Sequence, residues 1–439
     1  MRTYRVELVA KSGVRIVDPE LRELGMTLPG FVERGKVIAS LPSLGLLTLA
    51  GYCPPHWQPN YREVPDNDPA HFEQIADNEP DLVAISSLTA RIFDAYALAN
   101  KLRSVGIPVA IGGLHATVLP EEALCHADAV VVGDGETAWP EVLMDAERGS
   151  LRGIYRGGTH RFAAKDPIPK FDLLDTDRYN RLTLQTTRGC PIDCEFCAAS
   201  RLLGPTRRKP FALIQREIEA ILEVWEKPFI ELADDNTFFS KRWGRNLLRL
   251  LGKYQFRWFT ESDISIAYDP ELLDLLGASG CAQVLIGLES SAPASLQTAD
   301  PRGWKRRQFD KYAQAVADIQ SHGVSVNGCF VLGFDHDGPD VFDETLTFIR
   351  QLELSDVQLT IFTPFPGTAA YHRLKREVRL LRDVFWDQCT LFDLTFVPKL
   401  MSSREFLDGF KHLVANVYGT SETRKRKANF VGATRAVRK

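Results

Sequence analysis

Residues 182–197 read LTLQTTRGCPIDCEFC. A β-type run breaks at a glycine and then places three cysteines, Cys190, Cys194 and Cys197, in one short loop. A loop that directly follows a strand sits at the face where a parallel βα barrel carries its chemistry. Thiolates this close in sequence can converge on one soft metal site, and C-x₃-C-x₂-C differs from the paired C-x₂-C of zinc ribbons. Three thiolates are one short of the four that close a structural zinc or iron–sulfur site. The residues leave two readings open: zinc with a remote His or Cys, or a [4Fe–4S] cluster with one iron free of protein ligands.

Downstream of the loop, apolar strands and amphipathic helices alternate. The helix ALIQREIEAILEVW is followed by the strand PFIELADD, then by GRNLLRLLGKY, FRWFTESD, PELLDLLGASG, AQVLIGLES, QFDKYAQAVADIQSHG, VSVNGCFVLGF, DVFDETLTFIRQL and DVQLTIFTPFPGT. About six βα units predict a full or partial parallel barrel with its active face at the strand C-termini. From residue 371 the pattern is mixed and ends in an amphipathic helix, SREFLDGFKHLVANVYG, expected to cap the barrel.

Upstream, residues 37–145 show the same alternation: VIASL, SLGLLTLAGYC, DLVAISSL, AYALANKLRSVG, PVAIGG, DAVVVGDGE and WPEVLMDAERG. Short β-branched runs separated by helices predict a parallel sheet covered on both faces. Ligands of such sheets lie beyond the carboxyl ends of the strands, where SSL, GGLHAT and GDGE fall. The stretch from about 150 to 180 has no sustained period and reads as a linker. The expected organisation is therefore an α/β domain over 1–150, a linker over 151–180, a barrel over 181–370 and a capping region with a basic tail over 371–439.

Bulk properties agree with several soluble domains: 439 residues, 44% hydrophobic and 25% charged. The net charge of −4 gives no general attraction to nucleic acid or anionic membranes. The C-terminal run TRKRKANFVGATRAVRK is expected to be a solvated, frayed tail. MRTYRVELVAKSGVRIV lacks the apolar core of a signal peptide, and no stretch is long enough to span a bilayer, so the expected location is the cytoplasm. Five further cysteines, Cys53, Cys125, Cys281, Cys329 and Cys389, are scattered singly and read as buried small hydrophobes.

The strand, the C-x₃-C-x-Phe-C loop with Phe196 as its aromatic, and the run of βα units resemble the radical S-adenosylmethionine (SAM) superfamily. The resemblance covers roughly residues 180–400. It implies a [4Fe–4S] cluster on Cys190, Cys194 and Cys197, with the amino and carboxylate groups of SAM on the remaining iron. It implies a 5′-deoxyadenosyl radical and an electron donor such as flavodoxin or ferredoxin. Asp234 and Asp235 in ELADDN, Glu261 in FTESD, and Glu289 with Ser290 in GLESS end successive strands. By the same resemblance they contact SAM, with Phe196 near its adenine. Taken singly, each acid equally suits a helix N-cap or a loop salt bridge. GCFVLGF and TPFPGT resemble the fifth and sixth strand ends, and ordinary turn chemistry also accounts for both.

An α/β domain ahead of such a barrel resembles the cobalamin (B12)-binding branch, the class B methyltransferases. Ser86 and Leu88 in SSL, Gly112, Gly113 and His115 in GGLHAT, and Gly133 and Glu136 in GDGE carry that resemblance, together with LPSLGLLTLAGYCP. It implies a Rossmann-like slot for the cobalamin nucleotide tail, where glycines admit a bulky group. The Asp-x-His-x-x-Gly signature that ligates cobalt is absent, so a bound cobalamin is expected without a histidine below it. His56 in CPPHWQP reads as structural.

The branch implies C-methylation of an unactivated carbon, with one SAM methylating cobalamin, a second forming the radical, and both cofactors facing one cavity. The C-terminal TFVPKLMSSREFLDGFKHLVANVYG is similar to that of the hopanoid methylases and implies a small-molecule or lipid-like substrate. Two other readings stand beside this one: a radical rearrangement, cyclisation or oxidation without methyl transfer, and a non-catalytic cobalamin or metal sensor. No residue is singled out as base or radical quencher.

Overall fold

The computed structural model describes residues 2–11, 13–14, 16–24 and 41–437, with Ser200 and residues 433–437 described by backbone alone. The chain divides into two compact units. One comprises 1–14, 39–184 and 202–226, and the other 15–38, 185–201 and 227–439.

The first unit is built on a parallel sheet of six strands: β1 (Tyr4–Lys11), β2 (Trp57–Glu63), β3 (Leu82–Ser87), β4 (Val109–Gly112), β5 (Ala129–Val132) and β6 (Gly153–Arg156). Their order across the sheet is β2-β1-β3-β4-β5-β6. The near-continuous apolar runs suit strands covered on both faces, and Val6, Leu8, Leu82, Ala84, Ala110, Ala129 and Trp139 share one core. β1 was not expected as a strand, and of the expected strand VIASL, residues 37–40 lie outside the described residues. The stretch expected to be a linker supplies β6, which pairs parallel with β5 from Ala129↔Gly153 to Val132↔Arg156. It also holds residues 171–173, against which the helix Phe211–Val224 packs. That helix buries Leu213, Ile214, Ile218 and Ile221 at helical spacing and falls in the first unit, although its position after the cysteines placed it with the barrel.

Three short strands, β7 (Leu182–Leu184), β8 (Thr187–Arg188) and β9 (Arg207–Arg208), accompany the cysteine region. In the second unit β10 (Phe229–Leu232), β11 (Arg257–Ser262), β12 (Cys281–Glu289), β13 (Ser325–Leu332) and β14 (Asp356–Ile361) lie side by side in chain order, all parallel. Helices between them realise the predicted βα units, with Pro270 at the start of one and Asp269 accepting from Leu272 N as its cap. Inward positions follow the period of two, so register brings Gly287, Cys329 and Gln358 into one row.

The expected capping helix is Ser403–Val417, opened by a reciprocal capping box between Ser402 and Glu405. The basic run beyond it is a helix, Thr420–Val437, and not a frayed tail. Its order is explained in part by Arg426, buried and donating to Val417 O at 2.7 Å. Near the other end of the chain, Val17 N and Asp18 N donate to the Asp393 carboxylate at 2.9 and 2.8 Å. No helix among the described residues is long and apolar enough to cross a membrane.

Candidate functional site

The cysteine loop is held at both ends. Gly189 adopts φ +85°, in the left-handed region that favours glycine, and gives its amide to Asp235 Oδ2 at 2.7 Å. Asp234, on the opposite face of the same strand end, accepts from Thr186 N at 2.6 Å, Thr187 N at 2.8 Å and Thr237 Oγ1 at 3.0 Å, and also from the Thr186 hydroxyl. Burial pushes the Asp234 pKa up, and those hydrogen bonds pull against it. The acids between the cysteines are anchors too. Glu195 accepts both Nη2 (2.8 Å) and Nε (3.2 Å) of Arg373, and Asp193 pairs with Arg201 at 2.8 Å. The Glu195 backbone bonds Ala299 O and Ala370 N, each at 3.0 Å.

A cavity of about 270 Å³ opens behind the loop within the second unit. Cys190, Cys194, Cys197 and Phe196 line it together with Asp235, Glu261 and Glu289 from three strand ends. Three of the expected acids therefore meet the cysteines. Asp234 and Ser290 do not line the cavity: Asp234 ties the strand to the loop, and Ser290 Oγ accepts from Ala292 N at 3.0 Å in a turn. Phe196 packs edge-to-face on Phe334 and Phe362, at 5.8 and 6.0 Å between ring centres.

Electrostatics inside the cavity are dominated by burial. Glu261 lines the cavity and is itself exposed, yet the surrounding protein, with repulsion from Glu231, Asp235 and Glu289, raises its pKa from 4.5 to about 8. Glu289, at a left-handed φ of +69°, is paired with buried Lys305, Nζ to Oε1 at 2.8 Å. Burial opposes the Lys305 charge, but Glu289 and Cys194 hold its pKa above the ordinary value. Gly287 makes room for the pair, since a Cβ there would stand 2.4 Å from Glu289 Oε1 and 3.0 Å from Lys305 Nζ.

Among the cavity residues that were not expected are Asn236, Asp263, Lys305, Cys329 and Gln358. Asn236 Nδ2 lies 2.9 Å from Asp263 Oδ2 and 3.9 Å from Cys190 Sγ. Its place directly after the Asp pair was an available signal. Cys329 stands in the cavity wall, and Cys125 is exposed, so neither is a simple core residue; Cys281 and Cys389 are buried as expected.

The donor chemistry of this wall fits an iron–sulfur cluster. Thiolates on one tetrahedral zinc stand about 3.8 Å apart, given a Zn–S bond of about 2.3 Å, whereas a cluster takes each thiolate on a different iron. The three cysteines border one cavity, and three thiolates would leave the fourth iron of a [4Fe–4S] cluster open toward it.

At the strand ends of the first unit, Ser86 and Gly112 are register partners on β3 and β4. Gly113 has φ +106°, and a Cβ there would meet Ser87 O at 3.4 Å and Ser86 Oγ at 3.5 Å. Leu88 and the unexpected Leu114 flank these residues, 46% and 41% exposed. Bare backbone between two exposed leucines fits the flat apolar and amide surface of a corrin or its tail. His115 is buried, its Nε2 3.3 Å from Glu122 Oε1. Gly133 has φ +84° and Gly157 O close by, and Glu136 is buried in the first turn of the helix Gly135–Glu147. His56 bonds Glu147 at 2.7 Å, in the structural role expected of it.

Family models match as a B12 binding domain over residues 34–143, the radical SAM superfamily over 184–349 and a domain of unknown function (DUF4070) over 368–439. The chain is 30% identical over 354 residues to bacteriochlorophyllide d C-12(1)-methyltransferase of Chlorobaculum tepidum, covering 79% of this chain and 76% of that protein. It is 26% identical over 361 residues to hopanoid C-2 methylase of Rhodopseudomonas palustris, covering 79% and 67%. Its fold matches the radical SAM methyltransferase TsrM of Kitasatospora setae, solved with cobalamin and a [4Fe–4S] cluster, at a TM-score of 0.72 and 14% identity, covering 99% of this chain and 100% of that one.

Proposed function

Because the chain belongs to the family of cobalamin-dependent radical SAM methyltransferases, we propose that it C-methylates an unactivated carbon of an apolar small molecule or lipid-like substrate. The observation that carries the reading is the meeting of Cys190, Cys194 and Cys197 with Asp235, Glu261 and Glu289 around one cavity. When bound, the cluster and SAM supply a hydrogen-abstracting radical and cobalamin supplies a transferable methyl group.

The chain's own residues do the rest. Cys190, Cys194 and Cys197 hold the cluster, and Asp235 fixes the loop through Gly189. Glu261, and Glu289 steadied by Lys305, offer acceptors to the ammonium and ribose hydroxyls of SAM. Phe196, backed by Phe334 and Phe362, gives the adenine an apolar wall and excludes water. Ser86, Gly112 and Gly113, between Leu88 and Leu114, take the cobalamin, with Gly133 and Glu136 shaping the neighbouring loop. Asp234, Ser290 and His115 support these groups from behind. We assign the first unit, including β6 and residues 171–173 of the stretch 151–180 and the helix Phe211–Val224, to the cobalamin domain, the part of 181–370 in the second unit to the barrel, and 371–439 to the cap. Flavodoxin or ferredoxin in the cytoplasm supplies the electron.

The test is anaerobic reconstitution with iron, sulfide and hydroxocobalamin, followed by SAM, dithionite and apolar polycyclic candidates. Deoxyadenosine and S-adenosylhomocysteine formed together in equal amounts are expected. Deoxyadenosine alone overturns methyl transfer, and a colourless zinc protein overturns the whole reading.

A further inference from the structure

The cysteine loop has residues on the cavity and a residue exposed to solvent. Cys190, Ile192, Cys194 and Cys197 face the cavity, while Pro191, between the first two cysteines, is exposed. Cations crowd the outer side. Arg302, with its side chain 70% exposed, reaches Pro191 O at 3.5 Å and Asp193 at 4.0 Å. Arg201 holds the other side of Asp193 at 2.8 Å. Arg307 donates to Arg302 O at 2.9 Å, and Lys311, exposed like Arg307, follows four residues on with its Nζ 5.5 Å from the centre of the Tyr268 ring.

One turn organises this surface. Buried Asp300 accepts Arg302 N at 3.1 Å and Lys305 N at 3.0 Å. The turn thereby sends Lys305 inward to Glu289 and Arg302 outward to the loop. The acids of these two segments are half-buried Asp193, exposed Asp310 and the buried Glu195 and Asp300. A cationic surface on a chain of net charge −4 is a local device, not a general property.

We propose that the surface formed by Arg201, Arg302, Arg307 and Lys311 is the docking site of a small acidic one-electron carrier protein. The inference rests on the reading of the cysteine loop as a cluster site. One electron leaves the reduced carrier and enters the cluster through the loop, and the carrier departs oxidised by one electron, with no bond made or broken. Opposite charges speed such an encounter without a large interface, as suits a partner that must leave after each transfer.

The experiment uses the full reconstituted chain and a purified bacterial flavodoxin. Arg307→Glu and Lys311→Glu are each expected to weaken flavodoxin binding roughly tenfold at about 50 mM salt. The difference from wild type should close at about 500 mM, where charge is screened within a few ångströms. Flavodoxin-driven deoxyadenosine formation should fall in parallel, dithionite-driven formation should stay within about twofold, and Arg307→Lys should bind as wild type. Unchanged binding in both Glu variants overturns the proposal, as does an equal loss with dithionite. A wild-type protein that releases no deoxyadenosine with dithionite counts against the cluster reading instead, and the binding comparison then still decides the docking surface.

Discussion

Asp235 Oδ2 accepts the amide of Gly189 at 2.7 Å, so a strand-end carboxylate fixes the residue that immediately precedes Cys190. Asp235→Ala leaves that amide without its partner, at a cost of about 1–3 kcal/mol, concentrated on the loop. The expected outcome is a reconstituted protein that loses iron to a chelator several-fold faster than wild type. Iron release followed by absorbance checks this, and wild-type kinetics would refute it.

Lys305→Met strands Glu289 in a buried wall. Breaking one side of a buried pair costs about 3–5 kcal/mol, and removing both sides costs far less. Chemical denaturation should show a large loss for Lys305→Met and recovery of most of it in the double variant with Glu289→Gln. A double variant as unstable as the single one would mean that the pair is not the source of the loss.

Glu261 makes stability depend on pH in a defined direction. Its pKa rises from 4.5 to about 8 on folding, so between those values the unfolded chain has lost a proton that the folded chain keeps. Stability from this group is full below the lower value and is lost as pH rises through the window. Melting temperatures of wild type and Glu261→Gln should diverge as pH rises from about 5 to about 8, in favour of the variant. A constant gap across that range would exclude the effect.

Leu88→Asp and Leu114→Asp test the corrin slot. Both side chains are substantially exposed, so folding stability should change by no more than about 0.5 kcal/mol. Each removes about 1.5 kcal/mol or more of apolar contact with a bound ligand, roughly tenfold in affinity. Cobalamin retained after desalting, read by absorbance, should fall accordingly, and undiminished retention in both would place the cofactor elsewhere.

Much of this was legible because it is local. A strand, a glycine and three closely spaced thiols must share one loop, and Asp235, Glu261 and Glu289 announce themselves as acids at strand ends. Asp234 and Asp235 could not be told apart by residue type. The alternation of the strand separates them, turning Asp235 to the cavity and Asp234 to the threonines behind it. Lys305 left no signal, because its partner lies 16 residues away across a turn that Asp300 organises. His115 beside Gly113 suggested a ligand contact, but the short helix Leu114–Val118 carries it inward to Glu122.

The bonds from Val17 and Asp18 to Asp393 span 376 and 375 residues of sequence. During synthesis at about 5–20 residues per second, residues 17 and 18 emerge roughly 20–75 s before the carboxylate that receives them. The second unit thus closes late, on its own beginning, and its assembly carries the loop-closure delay of a high-contact-order fold. A ribosome stalled before residue 393 would present this early segment to chaperones with its destination not yet made.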